Sequence, residues 1–160
     1  MQRSLPALAC LLLLFAPALL PALSRADFDR VVDFSVTLET LAAVAAGREP
    51  LPAGRMFVLS GTVSDVTIIN REEAAFKVRI EVITGEWIGL EEVKSYACYI
   101  DFSGPEYFKI FPAKPPRKTD HDVVTLNTRV VVVGAPIDIA ATPLGEKRVL
   151  LQGAHIRTIE

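Results

Sequence analysis

The stretch from Phe76 to Ile83, FKVRIEVI, carries the clearest structural pattern of the chain. Its apolar side chains alternate one by one with Lys77, Arg79 and Glu81. Successive side chains of a β-strand point to opposite faces of a sheet, so this alternation indicates a half-buried strand. The stretch therefore predicts a sheet that has one face in the core and one face in water.

Four further segments predict strands. They are Phe57–Ile68, Tyr96–Phe102, Arg129–Gly134 and Arg148–Ile159. In the first segment the apolar phase shifts after Val63, which predicts a bend or bulge permitted by Gly61. Gly153 predicts a bulge in the last segment. Residues 84–86 (Thr-Gly-Glu) predict a turn after the second strand, and residues 142–147 predict a hairpin loop between the last two.

The N-terminal third is organised differently. Residues 33–47 place apolar side chains at helical spacing and end on Gly47, which predicts one short helix. Residues 49–54 contain two prolines and a glycine, which is typical of a linker. Residues 1–26 have a basic start at Arg3, a long apolar stretch and small residues at Ser24 and Ala26, the pattern of a secretory signal peptide.

These patterns predict three regions: a signal peptide at residues 1–26, an N-terminal helix and linker at 27–54, and a β domain at 55–160. We expect an exported protein, periplasmic or extracellular after cleavage. Retention of the segment as an uncleaved anchor is an alternative, and acylation of Cys10 in a lipobox-like sequence is another. The predicted class is mainly β, with one domain.

The charge balance is slightly acidic. The chain has 17 basic and 19 acidic residues, and removal of Arg3 and Arg25 with the signal would leave 15 basic residues. A dedicated nucleic-acid binder usually has a basic surface that replaces phosphate counterions. The composition therefore makes nucleic acid an unlikely partner.

The five predicted strands resemble an OB-fold. The resemblance lies in a long first strand bent at Gly61, a hairpin after the second strand, a longer connection between the third and fourth strands and a final hairpin. The third strand and the Val-Val-Gly segment before Ala135 look most like small exported OB-domain families related to tRNA-anticodon-binding domains. It implies a five-stranded OB-like Greek-key barrel preceded by one short N-terminal helix. An OB-fold generally binds ligands on its second and third strands and on the loops beside them.

Carried onto this sequence, the resemblance implies a ligand or partner face made by Lys77, Arg79, Tyr99 and Asp101. The flanking loops would be residues 70–74 and 143–147. Trp87, in the predicted turn, is a further candidate, because an exposed indole could anchor a partner or a sugar ring. Burial of Trp87 as a plug at the end of the barrel is the more common fate of so large an aromatic residue.

Three other features of the sequence are candidate sites. Cys98 falls on the apolar phase of its strand, which favours a buried, inert thiol over an intermolecular disulfide. Residues 120–122 (Asp-His-Asp) could hold a divalent cation, but a solvated loop is the simpler interpretation, and we expect no metal site and no cofactor. Lys114, Arg117 and Lys118 could make a weak membrane contact or remain a solvated basic loop.

The sequence has no motif of a known catalytic class, so it predicts that the protein is not an enzyme. We expect a non-enzymatic exported binding or accessory module whose face contacts an envelope protein or a small ligand. An oligonucleotide-binding OB domain is the alternative, and a cryptic hydrolase is a weaker one. The oligomeric state has no signature in the sequence.

Overall fold

Five long strands build this protein, in a computed structural model that describes residues 30–52, 54–89, 92–114 and 122–159. A two-residue strand and one α-helix precede them. In chain order the elements are β1 (Val32–Asp33), α1 (Leu38–Ala45), β2 (Met56–Asn70), β3 (Lys77–Ile88), β4 (Glu92–Ser103), β5 (Arg129–Ala141) and β6 (Lys147–Thr158). Short 3₁₀ turns lie at Glu73–Ala75 and Pro105–Tyr107.

The five long strands close into a barrel in the order β2-β3-β4-β6-β5, with β5 pairing back onto β2. The first half of β2 pairs with β5 and the second half pairs with β3, all antiparallel. β4 and β6 are parallel neighbours. This topology confirms the predicted mainly β, OB-like Greek-key barrel. The second and third strands of the predicted barrel are β3 and β4.

The barrel interior is filled by the alternating apolar residues. Val78, Ile80 and Val82 of β3 and Ile100 and Phe102 of β4 are fully buried. These side chains are those that the period-two pattern assigned to the core.

Separate pieces of chain cover the two ends of this core. At one end α1 buries Leu41 and Val44, and the Tyr96 hydroxyl donates to Glu39 at 2.9 Å. At the other end the connection after β4 packs Tyr107 and Phe111 against the Phe102 ring.

Two local predictions were wrong. The helix begins at Leu38, because the Thr37 side chain caps it by accepting the Thr40 amide, and Phe34 is left exposed. Residues 84–86 form no turn, because β3 continues to Ile88 in unbroken register with β4. The bulge predicted in β2 is confirmed, since its register with β3 shifts between Val63 and Asp65, shortly after Gly61.

Gly61 has a packing role. A β-carbon there would lie 2.6 Å from the carbonyl oxygen of Ile83, where β2 passes from its pairing with β5 to its pairing with β3. Near Gly153 the predicted bulge is confirmed, since the β5–β6 register shifts between the Gly153 and His155 positions.

The predicted signal peptide lies outside the described residues. Within the residues that the structure does describe, no helix has the length and apolar character needed to cross a membrane.

Candidate binding face on the β3–β4 ribbon

The antiparallel pairing of β3 with β4 decides which side chains share the outer face of the sheet. Directly opposed residues of an antiparallel pair point the same way. Outward-facing pairs therefore alternate with core pairs as far as the barrel extends, and the two faces of the ribbon continue to alternate beyond it. From one end to the other they are Lys77/Ser103, Arg79/Asp101, Glu81/Tyr99, Ile83/Ala97, Gly85/Ser95 and Trp87/Val93. We call this row the outer face of the ribbon.

Trp87 occupies the far end of that face. The ribbon extends past the barrel here, because β2 pairs with β3 only as far as Ile83. Trp87 opposes Val93 and is 70% exposed. The expectation that Trp87 plugs the barrel end was therefore wrong, since α1 closes that end. An indole this exposed in a regular strand leaves a large apolar surface open to a planar ligand.

Asp101 organises the charged end of the face. Arg79 Nε donates to Asp101 Oδ1 at 2.7 Å and Arg79 Nη2 donates to Oδ2 at 3.0 Å, while Lys77 Nζ lies 3.5 Å from Oδ2. The hydrogen bond to Asp101 raises the pKa of the Arg79 guanidinium. Asp101 itself is only 3% exposed, so it orients the two cations rather than contacting a ligand.

Tyr99 is half-buried beside this cluster. Its ring centroid lies 5.7 Å from the Arg79 guanidinium carbon, within the range of a cation–π contact. Burial raises the pKa of the Tyr99 hydroxyl, and the neighbouring Glu81 carboxylate raises it further. The phenol is therefore neutral at physiological pH and presents part of its ring to solvent.

The strand next to β4 contributes residues that the sequence did not assign to this face. Arg148 Nε of β6 lies 3.8 Å from Glu81 and its Nη2 lies 2.6 Å from Glu146. Gln152 donates to the Asp101 carbonyl at 3.1 Å. The parallel pairing of β4 with β6 brings them here, and alternation within one strand carries no signal for such a neighbour.

The resulting surface is nearly neutral. Its cations, Lys77, Arg79 and Arg148, all lie within ion-pair distance of the carboxylates of Asp101, Glu81 or Glu146. Between Tyr99 and Trp87 the face carries Ile83, Ala97, Gly85 and Ser95, none of them charged, and Ala97 among them is buried. A ligand on the exposed part of this face would meet aromatic and apolar surface before it met an unpaired charge.

The structure brings together all five predicted face residues, Lys77, Arg79, Tyr99, Asp101 and Trp87, on one side of the ribbon. Cys98 is confirmed as a buried thiol. Of the other candidate sites, Lys114 is exposed and Asp122 belongs to the described residues. Arg117, Lys118, Asp120 and His121 lie outside them.

Comparisons with known proteins were made by sequence and by structure. No protein-family model and no curated protein sequence matches the chain. Solved structures do match, each over 66% of this chain. They include the dimeric N-terminal domain of PriB from Thermoanaerobacter tencongensis (12% identity, TM-score 0.40, 96% of that chain).

Two further matches are single-stranded-DNA-binding proteins. One is the Plasmodium falciparum SSB in complex with single-stranded DNA (14% identity, TM-score 0.41, 94% of that chain). The other is the mitochondrial protein Rim1 from S. cerevisiae (10% identity, TM-score 0.39, 94% of that chain). The similarity concerns the fold, and these two proteins are named for DNA binding and not for an enzymatic activity.

These matches correct the functional predictions. The expectation that nucleic acid is an unlikely partner was wrong, since proteins matched in structure bind single-stranded DNA. The prediction of an exported, periplasmic or extracellular accessory module for an envelope protein or small ligand was wrong on the same finding, because the matches are DNA-binding proteins and one is mitochondrial. The stated alternative, an oligonucleotide-binding OB domain, agrees with them.

Proposed function

We propose that this protein binds single-stranded nucleic acid, without catalysis, on the outer face of the ribbon. The observation that carries the proposal is the placement of Trp87 and Tyr99 on the same face. Tyr99 lies six positions along β4 from Val93, the partner of Trp87. Because a strand rises about 3.3 Å per residue, the two rings lie about 20 Å apart along the ribbon.

Base stacking explains why the ligand would be single-stranded. A base presents its flat face to an indole or a phenol only when it has left the stack of a duplex. Between the two rings Gly85 and Ser95 are exposed and have little or no side chain, which leaves room for a strand on that part of the face. Every base has an aromatic face, so we expect binding that tolerates many sequences.

Because the charges of the face are paired with one another, we expect phosphate contacts to contribute less to binding than stacking does. Arg79 is held over Tyr99 by its two hydrogen bonds to Asp101, which supports a stacked guanidinium and phenol beside a bound base. The finer resemblance to OB domains related to tRNA-anticodon-binding domains is compatible with this function and remains a prediction.

Intrinsic fluorescence tests the proposal directly. Trp87 is the single tryptophan of the chain, so all indole emission reports on this position. We expect titration with a 15-nucleotide oligo-dT to quench that emission to saturation. Loss of a stacking aromatic costs about 1–3 kcal/mol per base, so Trp87→Ala and Tyr99→Leu should each weaken binding about tenfold in fluorescence anisotropy with a labelled oligonucleotide.

Ile137→Ala is the matched control, because Ile137 is a large exposed side chain on β5 rather than on the ribbon. This variant should bind as tightly as the unmodified protein, and all three variants should melt within a few degrees of it. Saturable binding that is the same in all variants would place the nucleic acid elsewhere. No quenching and no anisotropy change at low salt would refute the proposal.

A further inference from the structure

An apolar groove lies at the end of the barrel remote from Trp87. Its walls are Ile68 at the end of β2, Phe76 before β3, and Phe108, Phe111 and Pro112 in the connection after β4. The groove has a volume of about 460 Å³, within the range of small-molecule sites. We call it the Arg71 groove, after the arginine at its rim.

The aromatic walls are fixed and partly uncovered. Phe76 is buried and packs edge-to-face against Phe108, with ring centroids 5.6 Å apart. Phe108 remains 37% exposed, so one face of the pair borders the groove. An adjoining depression shares Ile68, Arg71 and Pro112 and continues the apolar surface towards Leu126.

The charged residues that line the groove have one sign. They are Arg71 and Lys109, and no carboxylate is among the lining residues. Within the described part of the chain, Arg71 forms no ion pair, whereas Arg79 and Arg148 on the ribbon face are both paired. A planar guanidinium without a partner beside an apolar wall suits a carboxylate or another planar anion.

We propose that the Arg71 groove is a second binding site, for a small amphipathic anion whose acidic group meets Arg71 and whose apolar body covers Phe108. A medium-chain fatty acid has this chemistry. The walls are side chains of Ile, Phe and Pro, an apolar lining that suits an acyl chain. The site is independent of the function proposed for the ribbon.

Calorimetric titration of the full chain with octanoate tests this site. We expect one octanoate per chain, with 1-octanol binding more weakly because it lacks the charge. Arg71→Gln removes the guanidinium from an exposed position and should reduce octanoate affinity about tenfold. Arg157→Gln, an exposed arginine of β6 outside the groove, is the matched control and should leave the affinity unchanged.

Phe108→Ala should also weaken octanoate binding, and Lys109→Gln gives a second test if that variant unfolds. Saturating oligo-dT should leave octanoate affinity unchanged, which would separate the two sites whether or not the ribbon binds nucleic acid. Absence of octanoate binding, or equal affinity in Arg71→Gln, would overturn the proposal. Displacement of octanoate by oligo-dT, together with loss of oligo-dT affinity in Arg71→Gln, would also overturn it and assign the groove to the nucleic-acid site.

Discussion

Asp101 shows how one residue controls the chemistry of its neighbours. A carboxylate that is 3% exposed would be costly to bury alone, but Arg79 and Lys77 both approach it and Arg79 binds it through two hydrogen bonds. The same contacts hold the Arg79 guanidinium beside Tyr99. One buried carboxylate therefore fixes the position of two cations and lowers the net charge of the face.

Cys98 allows a prediction about reactivity and pH. Burial in the core, with a smaller contribution from Glu81, raises the pKa of the Cys98 thiol to about 12 from a usual value of 9.0. We expect no reaction with Ellman's reagent at pH 8 in the folded Cys10→Ser variant, and complete reaction in guanidinium chloride. Rapid labelling of the folded protein would contradict the buried assignment.

The same shift predicts a loss of stability at high pH. The folded state keeps the thiol neutral, so its contribution to stability is complete below the unfolded pKa near 9 and is lost as pH rises towards 12. The free energy of unfolding of the Cys10→Ser variant, measured with urea, should therefore decrease between these two pH values. The decrease should be smaller in a Cys10→Ser, Cys98→Ala double variant, which lacks the thiol.

At the scale of elements, β2 takes part in two pairings and Gly61 marks the change between them. Its first half pairs with β5, its second half with β3, and the chain passes close to the Ile83 carbonyl at Gly61. A side chain there would separate strands that must touch for the barrel to close. The glycine thus serves the closure of the barrel, whereas the register shift two residues after Thr62 accommodates the curvature.

Gly61→Ala should therefore destabilise the fold. The added β-carbon would overlap the Ile83 carbonyl and Val82, both 2.6 Å away, so we expect a loss of about 1–3 kcal/mol in the free energy of unfolding from urea denaturation. Gly85→Ala is the control, because its nearest neighbour is a Val93 methyl group at 3.3 Å. An equal effect of the two substitutions would argue against the close approach at Gly61.

At the scale of the whole molecule, charge pairing would limit how the nucleic acid proposed for the outer face could bind. Lys77 and Arg79 on the outer face, and Arg148 beside it, each form an ion pair with a nearby carboxylate. For single strands the slope of log affinity against log salt is about −0.7 for each phosphate neutralised. Because the face has little free charge, we expect a shallow slope of log affinity against log salt concentration, below about 1.5 in magnitude.

Asp101→Asn should make this slope steeper by about 0.7 or more, because it leaves Lys77 and Arg79 without their shared carboxylate. Anisotropy titrations at several salt concentrations measure the slope. Asp138→Asn is the control, because Asp138 is an exposed residue of β5. An identical slope for Asp101→Asn and the unmodified protein would show that neither cation contacts phosphate.

The sequence by itself determined which side chains of β3, from Lys77 to Val82, face the core and which face outward. Alternation from Phe76 to Val82 assigned each side chain to a face, because the period of a strand is two and only one face can be apolar. The same alternation in the segment from Tyr96 to Phe102 placed Cys98 in the core. Lys77, Arg79 and Tyr99 followed from the same rule and were correctly assigned to the outer side.

Only the tertiary structure decided which outer residues are accessible and which neighbours they have. Trp87 is exposed because β3 and β4 continue past the last residue paired with β2, where no core remains to cover an aromatic ring. Asp101 is buried because Arg79, 22 residues earlier, lies across from it on the neighbouring strand, and because β6 packs beside β4. Pairing between strands distant in sequence is set by barrel closure, which no local pattern encodes.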